Sequence, residues 1–303
     1  MTRLRARAPG KVNLCLYVGE VRGDGLHPLV SVVESVSLAD ELELSRAPSG
    51  AGEDVVACEG VEGPNLAAAA LRAFRSASGW DAPPQLLRIA KRVPVAAGMG
   101  GGSGDAAAAL RLAAAAAGRP GDPVLADLAP GLGADVPAQL EPGLALVGGA
   151  GEAVRTLAPV EPHGILLLPL AERLTAAEVY AHADRGGRAR SLAEMDGLAA
   201  EVERAFAPGA PLPVALMHND LEGPARELCP AIGGALQEAR AAGAAHAMVS
   251  GSGPTVVGFF PGPDGAAAAR DAAEALRARR PGARAAEPVE AGFGDPLAAE
   301  EAR

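Results

Sequence analysis

The stretch Pro94-Val-Ala-Ala-Gly98-Met99-Gly100-Gly101-Gly102-Ser103-Gly104-Asp105 places five glycines within seven residues and runs into an alanine-rich segment from Ala106 to Ala117. Glycine exposes backbone N–H groups with no Cβ in the way, and a helix that starts there adds unpaired N–H groups and a positive dipole end. That combination suits an anion, phosphate above all; a flexible surface turn is the other reading of the same residues. Spacing excludes two common nucleotide loops. A P-loop needs Lys-[Ser/Thr] after its last glycine, and Asp105-Ala106 stand there instead. A G-x-G-x-x-G fingerprint begun at Gly98 would end on Ser103, and one begun at Gly100 on Asp105.

Of 27 basic residues, Lys11 and Lys91 alone are lysine. In a chain that otherwise uses arginine, these positions either need a compact ammonium rather than a planar fork or keep lysine by chance. Asp135 lies in the turn Pro130-Gly131-Leu-Gly133-Ala-Asp135-Val-Pro137, where a carboxylate either caps the turn or serves as a base. Phosphoryl transfer needs a phosphate cradle, a cation and a group that takes the acceptor's proton. Gly98 to Gly104, Lys11 and Asp135 supply one candidate each. His27, after a glycine turn, either hydrogen-bonds a ligand or is solvated. Asn219-Asp220 reads most simply as a helix N-cap, and Ser250-Gly-Ser-Gly-Pro254 as a tight turn or a second anion nest.

These residues need elements to hold them. Strands are expected at Leu4–Ala8 and Val12–Val18, broken at Ala8-Pro9-Gly10-Lys11, then at Leu29–Val36, Glu41–Leu44 and Asp54–Cys58. Asn65 should cap a helix to about Ser76, and a short strand, Leu86–Ala90, leads into the glycine loop. Further on, the pattern predicts helices at Pro123–Ala129, Thr175–Ala183, Leu192–Phe206, His218–Leu228, Ala231–Ala242 and Ala266–Arg279. It predicts strands at Leu144–Val147, Gly164–Leu168, Ala245–Val249, Thr255–Phe260 and Ala283–Val289. Asp184–Arg190 is polar and glycine-rich enough to be a mobile loop.

At 303 residues the chain has room for two lobes. A net charge of -10 argues against a broad nucleic-acid or anionic-membrane surface while allowing a local cationic pocket. Cys15, Cys58 and Cys229 are odd in number, scattered and without metal-type spacing, so reduced thiols and a cytoplasmic location are expected. No apolar run reaches the roughly 18 residues of a membrane span, because Arg111 interrupts the alanine segment. No cleavable leader is expected after Arg3, Arg5 and Arg7, since Lys11 and Asn13 interrupt the apolar stretch.

Taken together, Ala8-Pro-Gly-Lys-Val-Asn13, Pro94 to Ala107 and Val249-Ser-Gly-Ser-Gly-Pro-Thr255 resemble the three signatures of the GHMP small-molecule kinases, in the same order and across nearly the whole chain. Lys11-Val-Asn13-Leu, Asp24-Gly-Leu-His27, Gly100-Gly-Gly-Ser103, Gly133-Ala-Asp135-Val-Pro137 and Asn219-Asp220-Leu221-Glu222 are similar to the members that serve the non-mevalonate isoprenoid route. The resemblance implies an α+β fold of two α/β lobes with a ligand cleft between them. Residues 1–153 would form the N-terminal lobe, 154–290 the C-terminal lobe, and 291–303 a disordered tail. It also implies ATP-dependent phosphorylation, with Mg²⁺ whose ligands are left open, of the 2-hydroxyl of the methylerythritol moiety in a cytidyl diphospho-alcohol. Lys11 and Asp135 match the catalytic pair. Pro94, Ala97, Gly98, Met99, Gly100, Gly101, Gly102, Ser103 and Gly104 match the ATP loop. Asn13, Leu26, His27, Asp135, Thr175 and Tyr180 match substrate positions, with His27 at the cytosine edge and Tyr180 flanking the ring. The expected partner is that small molecule, with neither nucleic acid nor membrane, for a monomer or homodimer. Two positions depart from the family pattern: Gly104 stands where a second serine is usual, and Leu26 where a tyrosine is usual. A mevalonate-, homoserine- or sugar-type acceptor is the alternative, and a non-catalytic nucleotide sensor on the same fold another.

Overall fold

The computed structural model describes residues 3–61, 63–187 and 189–298. Strand β1 (Leu4–Val18) pairs antiparallel with β2 (Leu29–Arg46), and both are longer than the sequence suggests. The break expected at Ala8–Lys11 is a register shift between Pro9 and Lys11 inside one strand, followed by another between Asn13 and Cys15. Such irregularities bend a strand and re-aim its side chains without ending it. β2 likewise runs unbroken through both of its expected pieces. It is long enough to serve two neighbours, pairing through Ser31–Glu34 with β5 (Leu144–Gly148) and through Glu41–Arg46 with β4 (Gln85–Ala90).

Strand β3 (Val55–Cys58) lies parallel to β4, with helix α1 (Leu66–Ser78) as the crossover between them. Asn65 caps α1 as expected, its Oδ1 accepting from the Ala67 N–H at 2.8 Å. Strand β6 (Ala153–Leu157) pairs with β5, so the first sheet extends past residue 153, where the lobe boundary was expected. Helix α2 (Gly101–Ala116) is packed against α1 and β1. Ala106 to Leu110 and Leu112 to Ala114 are all buried, and their small side chains allow close approach on every side. Helices α3 (Val124–Leu132) and α4 (Val136–Gln139) complete this layer.

The second sheet is wholly antiparallel, in the order β10 (Arg284–Ala286), β7 (His163–Leu168), β9 (Val256–Pro261), β8 (His246–Val249). Side chains alternate across β7. Leu166 and Leu168 join one core with helices α5 (Ala176–Arg185), α7 (Glu222–Leu228), α8 (Ala231–Ala241) and α9 (Gly265–Leu276). Ile165 and Leu167 turn the other way, onto Val12, Leu14, Val30 and Val32 of the long strands and onto helix α6 (Leu192–Ala205). The two lobes therefore share a core through β1 and β2. Among the described residues no helix is long and apolar enough to cross a membrane.

The tail expected to be disordered is held in place as far as it is described. The Phe293 ring lies under the Arg7 guanidinium at 4.9 Å, the Gly294 carbonyl accepts from Arg111 Nε at 3.1 Å, and β11 (Leu297–Ala298) pairs with β1. An open strand edge and a buried guanidinium give this segment backbone partners that its composition does not reveal. Residues 299–303, the rest of that expected tail, lie outside the described residues. So does Arg188 in the loop expected to be mobile; α5 itself runs on to Arg185, and Arg190 is held by Asp220 through two hydrogen bonds of 2.7 and 2.8 Å.

One buried ion pair joins the sheets: His163 Nε2 lies 2.8 Å from Glu34 Oε2, while Nδ1 donates to the Glu161 carbonyl. Burial opposes the imidazolium, but the hydrogen bond and charge of Glu34, with the Glu161 carbonyl, outweigh it and hold the His163 pKa above its ordinary value. A raised folded-state pKa means that this contribution is full below the unfolded value, near 6.5, and is lost as pH rises through the folded value. Glu34→Gln is expected to destabilise by about 3 kcal/mol at pH 6, with the gap to the parent narrowing toward pH 9. Denaturant midpoints of both proteins across that range check it.

Candidate active site

The glycine stretch is loop only as far as Gly100; the helix begins at Gly101 rather than at Ala106, so Gly101 to Gly104 form its first turn. Gly100 is the N-cap at φ +65° and makes no side-chain capping bond; the Gly104 N–H donates back to the Gly100 carbonyl at 2.9 Å, and the N–H groups of Gly101, Gly102 and Ser103 before it remain available to an anion. Glycine is required here by close contacts. Gly98 has φ +75°, and a Cβ on it would run into the Ser250 carbonyl; a Cβ on Gly100 would stand 2.9 Å from Lys11 Cγ. The loop is pinned from two sides: the Lys11 N–H donates to the Met99 carbonyl at 2.9 Å, and Ser250 Oγ donates to the Gly98 carbonyl at 3.0 Å.

The Ser250–Pro254 turn is thus a brace for the loop, and Asn219 braces the turn. Asn219 is buried, its Nδ2 donates to the carbonyls of Val249 and Gly251 at 2.8 Å each, and its Oδ1 accepts from the Leu221 N–H. The Oδ1 bond to the Leu221 N–H is of the capping kind expected, but Leu221 rather than Asn219 stands at the N-cap position. Helix α7 starts at Glu222 behind Leu221, and Asn219 also reaches across 30 residues of sequence. Its neighbour Asp220 accepts from the Val18 N–H and from Arg190, and faces His218 Nε2 at 2.8 Å. Burial alone would raise Asp220, but His218, Arg190 and that amide outweigh it and hold the carboxyl at about 2.

Lys11 and Asn13, two apart on β1, face the same side. Lys11 Nζ donates to Asn13 Oδ1 at 2.9 Å and lies 3.5 Å from Asp135 Oδ2. Asn13 Nδ2 donates in turn to Ser31 Oγ, whose hydroxyl donates to the Cys15 carbonyl, so a buried chain of bonds fixes the lysine's partner. Ser31 is absent from the motif reading, and nothing in its sequence neighbourhood signals it. Asp135 precedes α4 but makes no capping bond. Its carboxylate is 45% exposed against 8% for the Lys11 side chain, so the carboxylate is open to a ligand while the ammonium is held from behind.

Two cavities meet at the glycine loop. One, of about 240 Å³, is lined by Lys11, Asn13, Asp135, Ala176, Tyr180 and Ser252 among others. The other, of about 340 Å³, is lined by Asn65, Leu66, Lys91, Pro94, Ala97, Gly101 and Gly102 among others. Gly98, Gly100 and Ser103 border both. Met99 and Gly104 border neither. Met99 is buried in the core shared by the two sheets, and a Cβ on Gly104 would sit 2.9 Å from the Pro9 carbonyl. Gly104 therefore allows α2 to close onto β1, and a serine there would push against backbone.

The other expected substrate positions are spread around the first cavity. Tyr180 lines it, with burial and the negative charge of Asp135 pushing its hydroxyl up to about 12. The His27 ring lies 5.2 Å from the Tyr180 ring, its Nδ1 donates to the Gly19 carbonyl, and its Nε2 is 3.3 Å from Asp184. Leu26 is 51% exposed. Thr175 does not line the cavity; its hydroxyl serves a capping box with Glu178, and Ala176 faces the cavity in its place. Lys91, the other lysine, bridges the carboxylates of Asp40 and Asp105 beneath the first turn of α2. Burial pushes Asp105 up, against the pull of Lys91. Among the described residues no group of three or more His, Cys, Asp or Glu is arranged to hold a metal ion. A lysine-paired carboxylate where a phosphate cradle meets a second cavity is an arrangement for moving a phosphoryl group to an acceptor in that cavity.

The comparisons with known proteins agree. The family description "GHMP kinases N terminal domain" matches residues 65–143 and "GHMP kinases C terminal" matches 210–278. A 4-diphosphocytidyl-2-C-methyl-D-erythritol kinase of Anaeromyxobacter sp. (strain K) is 40% identical over 92% of this chain and 87% of its own. One of Streptomyces coelicolor is 40% identical over 90% of this chain and 91% of its own. A solved structure of 4-(cytidine 5'-diphospho)-2C-methyl-D-erythritol kinase superposes with a TM-score of 0.71 at 33% identity, covering 95% of this chain and all of that one. The chain belongs to the GHMP kinase family, on the branch of the 4-diphosphocytidyl-2-C-methyl-D-erythritol kinases.

Proposed function

We propose that this chain transfers the γ-phosphoryl group of ATP to the 2-hydroxyl of 4-diphosphocytidyl-2-C-methyl-D-erythritol, a step of non-mevalonate isoprenoid precursor synthesis. The observation that carries the mechanism is the Lys11–Asp135 pair, 3.5 Å apart where the two cavities meet at the glycine loop. ATP lies along the cavity of Asn65, Leu66 and Pro94 with its phosphates on the first turn of α2. The alcohol lies in the cavity of Asn13, Asp135 and Tyr180. Asp135 takes the hydroxyl proton, the oxygen bonds to Pγ, and the bond to the β-phosphate oxygen breaks to leave ADP. Lys11, 3.5 Å from the Asp135 carboxylate, offsets charge on the transferring group.

The cytosine stacks on Tyr180 beside His27. With leucine at position 26, where the family usually has tyrosine, Tyr180 is the ring left for stacking, which contributes about 1–3 kcal/mol per base. Mg²⁺ fits a site of this kind, because the ion is commonly carried by nucleotide phosphates with few protein ligands. Ser103, bordering both cavities, would offer its hydroxyl to the ion, and the bound ion would neutralise phosphate charge. We place the enzyme in the cytoplasm, where its three free cysteines stay reduced.

Asp135→Ala should lower turnover by a factor of about 10³ or more while ATP still binds; ADP release measured by a coupled assay, beside nucleotide calorimetry, checks both halves, and full turnover in the variant would sink the mechanism. The same assay run over a panel of alcohols is expected to respond to the cytidyl diphospho-alcohol and not to mevalonate, homoserine or sugars. A response to one of those instead moves the substrate, and ATP binding with no ADP from any acceptor makes the chain a sensor.

A further inference from the structure

Arg111, which interrupts the alanine run of α2, is 9% exposed, yet its guanidinium donates to four backbone carbonyls from three separate segments. Nη1 reaches Gln139 at 2.6 Å and Leu140 at 3.0 Å, Nη2 reaches Arg7 on β1 at 3.3 Å, and Nε reaches Gly294 at 3.1 Å. Gln139 and Leu140 close α4, and carbonyls at a helix C-terminus lack intrahelical partners, so a cation there satisfies them. Asp135 is the residue before α4, one turn away. The same α2 begins at the phosphate loop ten residues earlier, about 15 Å along the axis.

We propose that Arg111 is a positioning residue: with the C-terminal segment at Gly294 it locks the Asp135 turn to the phosphate-loop helix, so that the base and the γ-phosphate keep one fixed separation. This rests on the reading of Asp135 as the base. The geometry has little slack. A Cβ on Gly294 would stand 2.6 Å from Arg111 Nη2 and 3.1 Å from Pro142 Cγ. The carbonyls diverge in a way that a planar fork meets and a lysine ammonium does not. Burial lowers the Arg111 pKa to about 10, partly offset by Asp295, which leaves the guanidinium charged at neutral pH. Because Phe293 and β11 also dock on β1, the C-terminal segment is part of the catalytic lobe rather than an appendage of the second.

Four variants test this in the full-length enzyme, with kcat taken per ATP-binding site from calorimetry: Arg111→Met, Arg111→Lys, Gly294→Ala and Asp135→Asn. Arg111→Met is expected to lower kcat about tenfold to a hundredfold, the usual scale for a catalytic group displaced by about 1 Å. KM for ATP and for the alcohol should stay within about twofold, and Arg111→Lys should recover little. Gly294→Ala keeps Arg111 and moves it, and should give a smaller loss of kcat with the same unchanged KM values. A purely structural role would reduce thermal stability and the yield of ATP-binding protein while leaving kcat per site at the parent value, and that result overturns the proposal. So does a rise in KM with kcat unchanged. If Arg111→Met does not fold, an undiminished kcat in Gly294→Ala is decisive against it. Full activity of Asp135→Asn would overturn both the base assignment and the positioning that depends on it. An inactive Asp135→Asn with parental kcat in the Arg111 and Gly294 variants would overturn the positioning alone.

Discussion

The site depends on a close approach of backbone to backbone. At Gly98 the glycine loop, and at Ser250–Gly253 the brace turn, come near enough that a Cβ on Gly98 would meet the Ser250 carbonyl and the Gly253 backbone. Gly251 completes the contact from the other side, with Gly98 O 3.1 Å and Lys11 Nζ 3.4 Å from where its Cβ would be. Three segments separated by roughly ninety and a hundred and fifty residues thus converge on one point. The Ser250 hydroxyl, the Lys11 amide and the two donors of Asn219 turn that proximity into fixed geometry.

From this contact the electrostatics follow. The lysine that passes under Gly100 is held by Asn13 and so presents its ammonium to Asp135. The second lysine, beneath the same helix turn, bridges two carboxylates and offsets part of the negative charge that would repel a phosphate. At each position a compact ammonium meets two side-chain oxygens, which gives a physical reason for two lysines in a chain of arginines. Arg111, by contrast, addresses four carbonyls from three separate segments, and there the forked guanidinium suits.

Much of this was legible in the sequence because it is local. The Asn65 cap and the helix after the glycines are set by residues within a few positions of each other, and the motif blocks identify the family before any fold is known. Other features were not legible. Gly101–Gly104 read as loop because glycine disfavours helix, yet the turn forms there because α2 is buried against β1 and α1. Ala8–Lys11 read as a break because proline and glycine end most strands, but neighbouring β2 carries the pairing across it as a register shift. Asn219 read as a cap because its partners, Val249 and Gly251, are thirty residues away.

The sequence by itself determined which chemistry is available: a glycine cradle, one lysine, one turn carboxylate, and the family that combines them. Residue type and local backbone preference suffice for that, since they act over a few positions of chain. Only the tertiary structure decided that Gly104 faces the Pro9 carbonyl, that Ala176 and not Thr175 borders the cavity of Lys11 and Asp135, and that the tail returns to clamp Arg111. Each of these is set by which distant surfaces close on one another, a matter of packing and of finding partners for buried carbonyls that no short stretch of sequence specifies.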